Sequence, residues 1–242
     1  MSRRSEVAAG LATVGERVTH ACATAGRDPD DVTVVVVTKT FPASDVRLLA
    51  ELGVRDVGEA RDQEASAKAA ECTDLDLTWH FVGQLQTNKA GSVARYASVV
   101  HSVDRPRLVD ALDRAAGSAG RELRCLVQVS LSDDSEDRHS RIPRGVGVRG
   151  GVAAGQASAI ADRIAAAVSL RLAGVMGIAP LEGDDDAAFA RLANVAAMVR
   201  NRYPTANWIS AGMSGDLESA IAHGATHLRV GSAILGTRPS AG

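Results

Sequence analysis

The stretch VTVVVVTKTF, Val32 to Phe41, runs four valines without a break into Thr38-Lys39-Thr40. An unbroken apolar run of this kind is the habit of a strand buried on both faces, as in a parallel sheet covered by helices. A lysine just past the end of such a strand stands at the rim of a dry interior. Burial disfavours the charged form, so a lysine placed there can give up its proton and act as a nucleophile. The alternative is a lysine whose stem follows the apolar surface while its ammonium reaches solvent.

Working outward, similar short runs recur along the chain. Strands are expected near Val32–Val37, Val54–Val57, Thr78–Val82, Ser98–Val103, Arg124–Val129, Leu170–Met176, Asn207–Ser210 and His227–Val230. Between them lie helical patterns such as ASDVRLLAEL, RPRLVDALDRAAG, QASAIADRIAAAV and DDAAFARLANVAAMVRNRY. Strands alternating with helices predict a parallel sheet of βαβ units. Closed at eight strands, this is an α/β fold of the (β/α)8 TIM-type barrel class, and 242 residues is close to the ~250 typical of one. An open doubly wound sheet shares the same pattern. Val7, Leu11, Val14 and Val18 form one stripe at helical spacing, an extra N-terminal helix. The expectation is therefore one barrel domain over residues 1–242. The polar, glycine-rich stretch Leu131 to Gly151 is too long for a βα loop and reads as a lid at the rim or a tolerated insertion.

The composition narrows the function. A net charge of −2 gives no basic field for nucleic acid or membrane surfaces, and 3% aromatic residues leave little for base stacking. Cys22, Cys72 and Cys125 are scattered, without metal-ligand spacing, and an odd, sparse count suits a reducing cytoplasm. No run of ~18 apolar residues predicts a membrane span.

In a barrel the chemistry collects at the carboxyl ends of the strands, and phosphate often binds the loops after strands 7 and 8. Lys39 follows strand 1. The segment SAGMSGDLESA offers Ser210, Gly212 and Ser214 after strand 7, and RVGSAILG offers Gly231-Ser232 after strand 8. Ser214 also reads as a plain helix N-cap. Asp216 and Glu218 would repel an anion and should face away from it. A nucleophilic lysine facing a phosphate site fits two chemistries: a Schiff-base aldolase acting on a sugar phosphate, or a protein holding pyridoxal 5′-phosphate. Arg229 bears on the choice, because an arginine donates and cannot accept, so beside a pyridine nitrogen it keeps that nitrogen unprotonated. A phosphate or carboxylate partner is the other use for it.

The segments VVVTKTFPASDV, GVRDVGEARDQEASAKAAE, LTWHFVGQLQTNKA, VVHSVDR, LRLAGVMGIAPL and ISAGMSGDLESAIAHGATHLRVGSAILGTRP together resemble the YggS/PROSC family of pyridoxal phosphate homeostasis proteins. The resemblance runs through most of the chain. It implies a barrel like the N-terminal domain of alanine racemase, with pyridoxal 5′-phosphate held as an internal aldimine on Lys39. It implies phosphate contacts from Ser210, Gly212, Met213, Gly231 and Ser232, and Arg229 facing the pyridine nitrogen. It also implies a carrier or regulator of the cofactor without efficient catalysis, with pyridoxal-phosphate-dependent apoenzymes as possible recipients. His80 matches too and reads as a structural histidine. Two departures stand out. Ala60 occupies the place of the family's Asn, which removes a polar side chain near the cofactor, and Leu131–Gly151 replaces a shorter loop.

Racemisation would need an acid/base group on each face of the substrate carbon. Alanine racemases bring the second, a tyrosine, from a C-terminal domain of the partner subunit. This chain is expected to end with its barrel, and its tyrosines, Tyr96 and Tyr203, fall in helical stretches away from the rim. A binding protein is therefore expected, cytoplasmic and monomeric, with a weak amino-acid racemase or an aldolase as the alternatives.

Overall fold

The computed structural model describes residues 2–131, 150–180 and 183–236. Eight strands, β1 Thr33–Val37, β2 Asp56–Glu59, β3 Thr78–Phe81, β4 Val99–Val103, β5 Leu123–Val129, β6 Leu170–Gly177, β7 Trp208–Ser210 and β8 His227–Val230, pair in chain order as a closed barrel. Every pairing is parallel, including the one that closes β8 on β1, where Val35 stands opposite Arg229. The expected TIM-type barrel is the observed fold, and the open sheet is ruled out by the β1–β8 pairing.

Between and around the strands stand α1 Arg3–Thr24, α2 Ala43–Glu51, α3 Asp62–Glu71, α4 Ala90–Tyr96, α5 Pro106–Ser118, α6 Ala157–Ala165, α7 Asp185–Arg202, α8 Leu217–Ala222 and α9 Ser232–Leu235. The expected N-terminal helix is α1. Ser2 caps it by accepting from the Ser5 amide, and Glu6 in its first turn suits the positive helix end. Val7, Val14 and Val18 bury the predicted stripe. The helix comes so close to α9 that a Cβ on Gly10 would lie 2.5 Å from the Ile234 carbonyl oxygen. The three cysteines are buried and unbridged. Among the described residues no helix is long and apolar enough to cross a membrane.

Val36, facing outward, joins the large apolar layer between strands and helices. The barrel interior is less usual. Such interiors are mostly filled by Val, Ile and Leu, but here Glu59, His80, His101, Ser210, His227 and Arg229 are all buried. This explains where sequence boundaries slipped. Strand 2 was expected at Val54–Val57 but runs Asp56–Glu59, because Glu59 is a buried strand residue whose partners lie elsewhere in the chain. Gly177, expected after strand 6, is its last residue. Most of the Leu131–Gly151 stretch, residues 132–149, lies outside the described residues. Its flanks are tied together: the Ser130 amide donates to the Val152 carbonyl (2.8 Å) and the Val152 amide to that of Gln128 (2.9 Å).

Candidate functional site

A cleft of about 570 Å3 opens at the carboxyl ends of the strands. It gathers Val37, Lys39 and Phe41 from the end of β1, Ala60 after β2, Gln128 of β5, Met213 and Ser214 after β7, and Arg229, Gly231 and Ser232 at β8. Five of the seven residues singled out beforehand therefore share one cleft: Lys39, Met213, Arg229, Gly231 and Ser232. Ser210 and Gly212 do not line it.

Lys39 stands on the rim of the cleft, where a lysine just past the strand was expected, and is exposed there and not buried. The valines end at Val37, and Thr38 turns the chain outward. Thr40 has φ +72°, a left-handed conformation that a β-branched residue adopts at a cost. Its amide donates to Glu64 Oε2 (3.1 Å), and the Phe41 amide donates back to the Thr38 carbonyl (3.0 Å). Beneath this turn is a polar cluster that the sequence reading missed. Lys68 Nζ donates to the Thr38 carbonyl (2.7 Å) and to Glu59 Oε1 (2.6 Å), and Thr38 Oγ1 donates to the same Glu59 oxygen (2.6 Å). Burial pushes the Glu59 carboxyl above its usual range, while the bonds from Lys68 and Thr38 pull it back. The only sequence signal for this cluster was a glutamate at a strand end.

The turns after β7 and β8 meet through their serines. Ser232 Oγ donates to Ser214 Oγ (3.2 Å), and Ser214 Oγ also accepts from the Ala233 amide (3.3 Å). Ser214 is not an N-cap, since α8 begins at Leu217 with Asp216 in the cap position. Glu218 faces away, paired with Arg17 of α1 at 2.7 and 2.8 Å. Asp216 does not line the cleft either, and its Oδ1 accepts from the Met213 amide at 2.5 Å. Gly212 has φ +88°, and a Cβ there would meet Ala220 Cβ at 2.7 Å, so its work is to turn the chain tightly beneath the cleft.

Arg229 is buried, and burial lowers its pKa to about 10, with the charge of Asp216 opposing. Its Nη1 donates to Ser210 Oγ (2.6 Å) and its Nη2 to the Gly177 carbonyl (2.8 Å). Ser210, expected at a phosphate, is fully buried, and its Oγ accepts from this guanidinium. It also bonds His101 Nδ1 (2.8 Å). His101 and Gln128 escaped the sequence reading, although both interrupt otherwise apolar strands. Gln128 Nε2 donates to the Gly150 carbonyl (2.6 Å), and its Oε1 is buried without a partner.

Residues 14–239 match the sequence family described as alanine racemase, N-terminal domain. The pyridoxal phosphate homeostasis protein of Mycobacterium tuberculosis is 46% identical over 98% of this chain and 94% of that protein. The chain belongs to the pyridoxal phosphate homeostasis protein family. A more distant member from Escherichia coli is 33% identical over 97% of both chains. PipY of Synechococcus elongatus, solved with pyridoxal phosphate bound, superposes with a TM-score of 0.76 at 33% identity, covering 95% of this chain and all of that one. Alanine racemase of Streptomyces lavendulae shares the fold at a TM-score of 0.71 and 18% identity, but this chain covers only 58% of it.

Proposed function

We propose that this cleft holds pyridoxal 5′-phosphate with Lys39 as its covalent anchor, and that the protein carries or regulates the cofactor within the cell without efficient catalysis. One observation carries the reading: a primary amine, a pair of bridged serine hydroxyls beside Gly231, and a donor-only guanidinium share one cleft. Those groups fit an aldehyde, a phosphate and a ring nitrogen in turn. PipY, a relative of nearly the same length, binds this cofactor.

When bound, the cofactor supplies a carbonyl that condenses with amines and a ring that accepts electrons. The residues do the remainder. Ser214 and Ser232 donate hydroxyls to the phosphate, and Gly231 lets the backbone approach it. The Met213 amide reaches an anion only when Asp216 releases it. Arg229, which has no lone pair to offer, keeps the ring nitrogen unprotonated and so limits the electron sink. Neither tyrosine lines the cleft: Tyr203 Oη donates to Asp162 (2.7 Å), and Tyr96 packs edge-on against Trp79. Among the described residues no tyrosine lines the cleft to oppose Lys39, and this supports reading the protein as a carrier; a cytoplasmic monomer that hands cofactor to apoenzymes completes the proposal.

The test is borohydride reduction of the loaded protein followed by peptide mass spectrometry. The adduct is expected on the peptide containing Lys39 and absent from Lys39→Ala, with alanine racemisation no faster than in that variant. An adduct on another lysine would overturn the anchor, and Lys39-dependent turnover would overturn the carrier.

A further inference from the structure

Buried guanidinium groups usually sit beside carboxylates, because an unpaired charge is costly to remove from water. Arg229 is 5% exposed, yet among the described residues its side chain hydrogen-bonds to two neutral oxygens, Ser210 Oγ and the Gly177 carbonyl, while the Asp216 carboxylate acts on it through space without a bond. Its bonds lead on into the barrel. Ser210 Oγ lies 2.8 Å from His101 Nδ1, His101 Nε2 lies 2.9 Å from His80 Nδ1, and His80 Nε2 lies 2.9 Å from Asp56 Oδ1. Asp56 opens β2 at the opposite, N-terminal end of the barrel, with its side chain 29% exposed. The chain thus spans the barrel from a cation in the cleft to an anion at the far mouth.

Its two ends set the direction of the bonds between them. A guanidinium can only donate and a carboxylate can only accept. His80 therefore gives Asp56 its Nε2 hydrogen, and the relay has its Nδ1 accept from His101. His101 must then donate from Nε2 and accept at Nδ1. The Ser210 hydroxyl hydrogen turns to His101, and its lone pairs face Arg229. Burial, with His80, Arg229 and His227 nearby, holds His101 neutral. His227 stays outside the chain, bonded to Thr226 Oγ1 (2.9 Å) with its ring 6.4 Å from that of His80. Every dipole points the same way, and aligned bonds in a dry interior strengthen one another.

We propose that Asp56 anchors Arg229 through the hydrogen-bonded chain of His80, His101 and Ser210, beside the through-space charge of Asp216, and that these four are positioning residues for the cation in the cleft. They hold Arg229 aimed whether or not the cleft is loaded. That Arg229 then serves a ring nitrogen rests on the function proposed above.

The experiment is side-chain nitrogen NMR on the isotope-labelled, cofactor-free full chain. Both His80 and His101 are expected as neutral rings with hydrogen on Nε2. In Asp56→Asn, whose amide can donate as well as accept, the Arg229 Nη hydrogens should exchange with water about fivefold faster, the worth of one hydrogen bond, and Asp56→Glu should restore slow exchange. Hydrogen on Nδ1 of either neutral histidine, or a charged ring at His80, would overturn the relay, and so would unchanged exchange in a folded Asp56→Asn. Should Asp56→Asn not fold, the wild-type ring states decide. Ring states as stated in a wild-type protein that binds no pyridoxal phosphate would support the relay and overturn the cofactor reading.

Discussion

Thr40 carries backbone strain directly beside Lys39, with φ +72° in a residue that gains nothing sterically from it. Such conformations cost of the order of 1–3 kcal/mol and persist where the surroundings enforce them, commonly at functional sites. Here the Glu64 carboxylate and the Thr38 carbonyl do the enforcing, and the result is a sharp turn that sets Lys39 on the rim. Across the cleft mouth, Ala60 leaves the space of the family's Asn without a polar group. Restoring it is a direct measure of what that group contributes. Ala60→Asn is expected to tighten pyridoxal phosphate binding about fivefold, the value of one net hydrogen bond near 1 kcal/mol. Equilibrium titration followed by absorbance reads this, and equal or weaker binding would show that the cleft has no use for a side chain there.

The element that positions the anchor is α3, through one side chain. Lys68 reaches from α3 under the β1 turn to bond both Thr38 and Glu59. Removing one partner of a buried pair strands the other, at roughly 3–5 kcal/mol when it stays charged. Glu59 softens this by taking up a proton, since its carboxyl already lies above the usual range through burial. Lys68→Met should therefore lower stability by about 2–3 kcal/mol near neutral pH and by less in acid. Denaturant unfolding at two pH values checks it. The double variant Lys68→Met/Glu59→Gln should recover much of the loss, because no charge is then left buried. A single variant as stable as wild type would mean the cluster is not a working support for the β1 turn.

At the scale of the whole molecule, a barrel with histidines at its centre is vulnerable to acid. Burial lowers the pKa of His227 to about 4, and His101 is held well below its usual range. The unfolded chain takes up protons near pH 6.5 while the native state refuses them. Stability is thus full above about pH 6.5 and lost as pH falls toward 4; for His227 alone the loss by pH 5 is about 2 kcal/mol. His227→Phe keeps a ring against Trp208, at 4.0 Å in the wild type, and should flatten part of the fall in urea midpoint between pH 7 and pH 5. An unchanged slope would mean that His227 is not a source of the acid sensitivity.

The alternation of apolar runs with helical stripes determined a parallel sheet of βαβ units, because period and order are local properties, whereas its closure into a barrel was decided by the pairing of β8 with β1. The glycine–serine turns and the lysine after β1 were legible for a similar reason: such turns need particular residues at fixed offsets from a strand end. Only the tertiary structure decided what the polar residues do. Ser210, expected at a phosphate, bonds Arg229; Ser214, read as a phosphate-site hydroxyl or a cap, bridges two loops; and His80, which read as structural, joins a chain with His101 and Asp56. Their partners lie 18 to 109 residues away, as with Ser214–Ser232 and Ser210–His101. A buried polar side chain takes its role from whatever completes its hydrogen bonds, and that is fixed only when distant strands close into one barrel.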